Sequence, residues 1–129
     1  LSVAYAAVAN GGSLVWPHGI VKITDREGQV LYKRMSDGIR RQVLDGAVVA
    51  SMDHLLQAVI EDGTGAKAGL QGAAGKTGTS QDFRDAWFIG YRGNLTLGIW
   101  LGNDDATPME GVSGGGLPAR IWGEVMSGL

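Results

Sequence analysis

Gly75-Lys76-Thr77-Gly78-Thr79-Ser80, Ala86-Trp87-Phe88-Ile89-Gly90-Tyr91 and Thr96-Leu97-Gly98-Ile99-Trp100-Leu101-Gly102 follow one another with only short connections. Each run is short, carries β-branched or aromatic residues, and is bounded by glycine, asparagine or aspartate, the pattern of strands. Arg92-Gly93-Asn94 is a tight connection between the last two runs. Connections this short join neighbours, so three antiparallel strands are predicted.

Outward from these strands the pattern turns helical. Leu1 to Asn10 reads as a helix, ended by Asn10-Gly11-Gly12, residues that tolerate the left-handed conformation of a helix C-terminus. Ile20 to Thr24 and Gln29 to Lys33 alternate around Asp25-Arg26-Glu27-Gly28 and predict a hairpin. Met35 to Val43 is a polar connection. From the N-cap Asp45, Val48, Met52, Leu55 and Val59 recur at helical spacing, flanked by Val49, Leu56 and Ile60, and are expected to face a core. Glu61 to Gly65 stops this helix, Ala66 to Ala74 is a glycine and alanine loop, and Pro118 to Met126 reads as a closing helix with proline in its first turn. The fold class expected is α+β, helices packed on an antiparallel β-sheet.

With 129 residues the chain supports one domain or a large piece of one. A net charge of −2 offers no basic patch, so nucleic acid is not an expected partner. The absence of cysteine excludes disulfides, thiolate metal sites and cysteine nucleophiles. His18 and His54 lack neighbours at metal-ligand spacing, so neither a metal nor another cofactor is expected. The chain opens inside a helical pattern, which is expected of a fragment.

Lys76, Thr77, Gly78, Thr79 and Ser80 are the candidate site. As isolated residues they could be the solvated face of a half-buried strand. A phosphate-binding loop would need glycine at position 70, which is Leu70, and would have to open a helix. An acyl-transfer site fits better. A lysine ammonium and two hydroxyls on one strand face would hold a substrate carboxylate, and the backbone N–H of Thr79 could aim at a developing oxyanion.

Ala74 to Ser80, Asp82 to Tyr91, Gly98 to Asp105 and Gly114 to Trp122, with Ala4 to Gly12 and Ile23 to Tyr32 upstream, resemble the C-terminal part of class A penicillin-binding proteins, the bifunctional peptidoglycan synthases. The resemblance spans nearly the whole chain, read as residues 1–129 of the C-terminal portion of a transpeptidase domain. It implies a penicillin-binding or β-lactamase-like fold and a serine D,D-transpeptidase that cross-links stem peptides through an acyl-enzyme and is trapped by β-lactams. Lys76 and Thr79 would take catalytic roles, and Lys76, Thr77, Gly78, Thr79 and Ser80 would bind substrate. The partners implied are the N-terminal part of the same domain, an upstream glycosyltransferase domain, stem peptides and β-lactams. The location implied is the inner membrane as anchor, with this region periplasmic.

Of the family's three catalytic elements only Lys-Thr-Gly is present: no serine has lysine three residues later or asparagine two later. Ser51-Met52-Asp53 imitates the second element from within a helix and reads as structural. The chain alone is therefore expected to be inactive, to expose a sheet edge and an apolar face, and to self-associate. The other function class is a non-catalytic module that adds an extended peptide to the same strand edge. Arg84 and Asp85 could pair over the site or be a solvated pair. Trp87, Trp100 and Trp122 are expected in the core. Asp104 and Asp105 lack a calcium-loop pattern.

Overall fold

The computed structural model describes residues 1–35 and 41–129. Helix α1 (Ser2–Ala9) is followed by strands β1 (Lys22–Thr24) and β2 (Val30–Lys33), helix α2 (Gly46–Glu61), strands β3 (Ala74–Thr79), β4 (Asp85–Arg92) and β5 (Leu95–Gly102), and helix α3 (Leu117–Ser127). The expected elements are all present. The loop before β3 adds a short 3₁₀ turn at Ala66–Ala68. Part of the Met35 to Val43 connection, residues 36–40, lies outside the described residues.

Strands β3, β4 and β5 form one antiparallel sheet in that order. Gly93 turns the chain between β4 and β5 at a φ of 59°, which a side chain would disfavour. The register aligns Thr77, Phe88 and Ile99 in one row and Lys76, Ile89 and Gly98 in the next. Successive side chains alternate, so these rows point to opposite faces.

Each face has its own core. Helix α3 covers the first, where Phe88, Ala119, Trp122 and Met126 pack with Ile60, Ala68 and Ala73. The Phe88 and Trp122 rings lie 5.2 Å apart at 57°, and the fully buried indole N–H donates to the Leu97 carbonyl at 3.0 Å, as a buried tryptophan requires. On the second face, α1 and α2 bring Tyr5, Val8, Ala9 and Leu56 onto Ala74 and Tyr91. Ile60 lies one turn beyond Leu56 and belongs to the first core, so the end of α2 passes the β3 edge and ties both layers together.

Asp45 caps α2 as expected, its carboxylate accepting from the Ala47 N–H at 2.9 Å. The stripe assigned to the core is only partly the buried one. Val48, Met52 and Leu55 are exposed and Val59 half-buried, whereas the flanking Leu56 and Ile60 are buried and Val49 half-buried. The inward face also takes Asp53, because its carboxylate accepts from the Tyr91 hydroxyl at 2.8 Å and from Gln57 at 2.6 Å. A polar residue satisfied by partners sits on the packed side, and apolarity alone misplaced the stripe by about one position. The β1–β2 hairpin is exposed along its whole length, with no buried side to match its alternating sequence.

Candidate functional site at the free edge of the Lys-Thr-Gly strand

Lys76, Thr77, Gly78, Thr79 and Ser80 all line one cleft of about 270 Å³, together with Leu1, Tyr5, Asp85, Trp87 and Ile89. Strand β3 is the edge of its sheet. The Thr77 carbonyl accepts from the Lys76 ammonium at 3.0 Å, so it faces away from β4. In an antiparallel strand every second residue turns both N–H and C=O to the same side. Thr79 therefore presents its N–H along the same free edge as Thr77.

The lysine and the threonines do not share a strand face. Lys76 stands on the α1 and α2 side, whereas Thr77 and Thr79 stand on the α3 side, as the two-residue period demands. They meet because the long Lys76 side chain bends around the edge, its ammonium also lying 3.4 Å from the Thr77 hydroxyl. That hydroxyl is in turn 2.8 Å from the Thr64 hydroxyl. Thr64, in the turn that follows α2, was not among the candidate residues; only the Gly63-Thr64-Gly65 break in the helical pattern marks it in the sequence.

Both hydroxyls already have a partner inside the chain. The Thr79 hydroxyl accepts from the Gly114 N–H at 3.0 Å, in the glycine-rich loop before α3. A hydroxyl that accepts still keeps its own proton to donate. Ser80 is held as well: its Oγ accepts from the Asp85 N–H at 2.7 Å, and its own N–H donates to the Asp85 carbonyl at 3.0 Å. This reciprocal pair closes the turn from β3 to β4.

Arg84 does not pair with Asp85. Its guanidinium donates to the Ala106 carbonyl at 3.0 Å and approaches Asp82 at 3.8 Å, while Asp85 accepts from the Trp100 indole at 2.9 Å. Trp87 and Trp100, expected in the core, are partly exposed beside the cleft with ring centres 6.2 Å apart. Of the three tryptophans only Trp122 is interior. Asp105 turns back on its own loop, and the Thr107 N–H and hydroxyl hold its carboxyl below the usual carboxylate range. No cluster of metal-ligating side chains occurs among the described residues. No helix among them is long and apolar enough to cross a membrane.

The family model of the penicillin binding protein transpeptidase domain matches residues 1–126. Penicillin-binding protein 4 of Bacillus subtilis (strain 168) is 36% identical over 112 residues, 85% of this chain and 18% of that protein. Penicillin-binding protein 1A of Aquifex aeolicus (strain VF5) is 34% identical over 129 residues, covering 98% of this chain and 18% of that protein. The structure of penicillin-binding protein PonA1 from Mycobacterium tuberculosis superposes with a TM-score of 0.84 at 30% identity, over 98% of this chain and 36% of that one. The chain thus spans about a fifth of the length of these curated relatives. With the three-strand sheet, its flanking helices and the Lys-Thr-Gly edge in place, the chain belongs to the transpeptidase domain family of class A penicillin-binding proteins.

Proposed function

We propose that these 129 residues form the C-terminal part of a serine D,D-transpeptidase domain and supply one wall of its cleft. The observation that carries this reading is the free edge of β3, where the Lys76 ammonium, the Thr77 hydroxyl and the outward Thr79 N–H converge on one cavity. The Lys76 charge and the Thr77 hydroxyl would hold the carboxylate of a D-alanyl-D-alanine terminus or of a β-lactam through charge-assisted bonds. The Thr79 N–H would stabilise the oxyanion formed when a serine from the rest of the domain attacks the carbonyl. One such donor is worth about 3–4 kcal/mol in the transition state. Gly78 lets the substrate backbone lie close to the strand. Collapse of the oxyanion intermediate would break the terminal peptide bond and release D-alanine, leaving an acyl-enzyme, and an acceptor amine from a second stem peptide would then displace the serine to form the cross-link. The full-length protein would be membrane-anchored, with this region outside the cytoplasm.

Fluorescent penicillin tests the assignment. The full-length protein carrying this chain should be labelled covalently, Lys76→Ala should slow labelling by a hundredfold or more, on the order of a lost oxyanion donor, and the 129 residues alone should stay unlabelled. Undiminished labelling of Lys76→Ala would remove the lysine from the site. Labelling of the isolated chain would place the nucleophile within it.

A further inference from the structure

Gly114 is buried in the loop between β5 and α3, far in sequence from the strand it touches. A Cβ placed there would lie 2.4 Å from the Gly78 carbonyl oxygen, 2.8 Å from the Gly78 nitrogen and 2.2 Å from the Trp87 carbonyl oxygen. Real Cβ atoms do not approach backbone so closely, so only glycine fits. Next to it, a Cβ on Gly115 would lie 2.3 Å from the Thr64 carbonyl oxygen and 3.7 Å from Thr77 Cγ2. The loop is thus laid backbone to backbone beneath β3.

The Gly78 carbonyl and the Thr79 N–H belong to one planar peptide unit. Gly114 abuts the oxygen end of that plane, and the N–H end is the one that faces the free edge. The Gly114 N–H also donates to Thr79 Oγ1 at 3.0 Å, fixing the side chain of the same residue. We infer that Gly114 is a positioning residue of the acyl-transfer site: it sets the tilt of the Gly78–Thr79 peptide plane and thereby aims the Thr79 N–H at the oxyanion. This rests on the function proposed above. A preorganised donor works only when it already points at the place where charge develops, so a small rotation of this plane lowers the rate of acylation more than it lowers ligand binding.

The test measures acylation of the full-length protein by fluorescent penicillin over a range of concentrations, separating the half-saturating concentration from the maximal rate. Gly114→Ala is expected to lower the maximal rate on the order of ten- to a hundredfold, a fraction of the loss from deleting an oxyanion donor, with half-saturation moved less than about threefold. Gly98→Ala is the control, because a Cβ there meets only ordinary contacts at 3.5 Å and beyond; it should leave both quantities alone. Should Gly114→Ala fail to fold, Thr79→Val serves: it keeps the side-chain volume, removes the acceptor of the Gly114 N–H and should slow acylation, and Thr79→Ser should return most of the rate. Equal maximal rates in Gly114→Ala and the unmodified protein, or in Thr79→Val and Thr79→Ser, overturn the role of Gly114 while leaving the assignment of the strand intact. An unmodified protein that takes no label overturns both.

Discussion

The Tyr91 hydroxyl donates to the Asp53 carboxylate at 2.8 Å, joining the end of β4 to the inward face of α2. Gln57 donates to the other Asp53 oxygen, so the acid is satisfied on both sides. Burial first, and the neighbouring Asp53 second, push the Tyr91 phenol well above its ordinary range. Its proton is therefore held more tightly in the folded chain than in the unfolded one, and the stabilisation is complete below pH ~10 and lost as pH rises beyond it.

Tyr91→Phe is accordingly expected to cost about 1–2 kcal/mol near neutral pH, since Asp53 keeps its place but loses a donor. Urea unfolding measures the cost. Above pH ~10 the variant should lose stability less steeply than the unmodified chain, because one proton-linked group is gone. Tyr5, also raised by burial, keeps some slope in place. Identical slopes in the two proteins would show that Tyr91 titrates alike folded and unfolded.

A second expectation concerns the seam between α3 and the 3₁₀ turn. A Cβ on Gly123 would lie 2.0 Å from the Ala68 carbonyl oxygen. Alanine normally favours a helix over glycine by about 1 kcal/mol, but here the backbone of the turn would have to retreat. Overpacking of this kind costs about 1–3 kcal/mol, so Gly123→Ala should lower the melting temperature despite its helix propensity. An unchanged or higher melting temperature would mean that the turn yields freely.

The turn that bounds the cleft gives a third. Ser80→Ala removes the acceptor of the Asp85 N–H but leaves the Ser80 N–H bond to the Asp85 carbonyl. Because water can reach this exposed turn, the cost should stay near 0.5–1.5 kcal/mol. Hydrogen exchange of the Asp85 amide should nonetheless quicken, with the amides of β4 beyond it unaffected. Protection of Asp85 equal to that of the unmodified chain would remove Ser80 from the closure of the turn.

The hairpin, the three strands of the sheet and the three helices were legible because each rests on local signals: turn residues, a cap at Asp45, and periodicity. Residues 76–80 could be gathered into one candidate site because they are contiguous, and the cleft they line follows from any strand that brings them to one edge. What stayed hidden depends on contacts across the chain. Thr64 and Gly114 reach Thr77 and Thr79 from 13 and 35 residues away, and neither distance leaves a mark in the sequence. The face of Lys76 was legible in principle from the two-residue period, but shared chemistry suggested a shared side. Trp87 and Trp100 sit in the apolar runs of β4 and β5, yet the alternation turns both to the α1 and α2 side, at the end of the sheet where that face stays exposed.

The displaced stripe of α2 yields the last expectation. Val48, Met52 and Leu55 are 47%, 38% and 62% exposed on one side of α2, and Val30, Leu31 and Tyr32 are likewise open on the hairpin. Apolar groups scattered singly need no explanation, whereas a run along one helix face favours contact with another surface. Released by itself, the chain should therefore self-associate at high concentration, and sedimentation should show weight-average mass rising with concentration. Leu55→Glu keeps the helix, because glutamate is a good helix former, and puts a charge at the most exposed residue of the stripe, where burial against a second copy would be costly. The variant should remain monomeric over the range in which the unmodified chain associates. Association undiminished by Leu55→Glu would exclude this face and leave the unpaired edges of β3 and β5 as the surfaces to examine, since an uncovered strand edge templates pairing through backbone groups rather than through the α2 stripe.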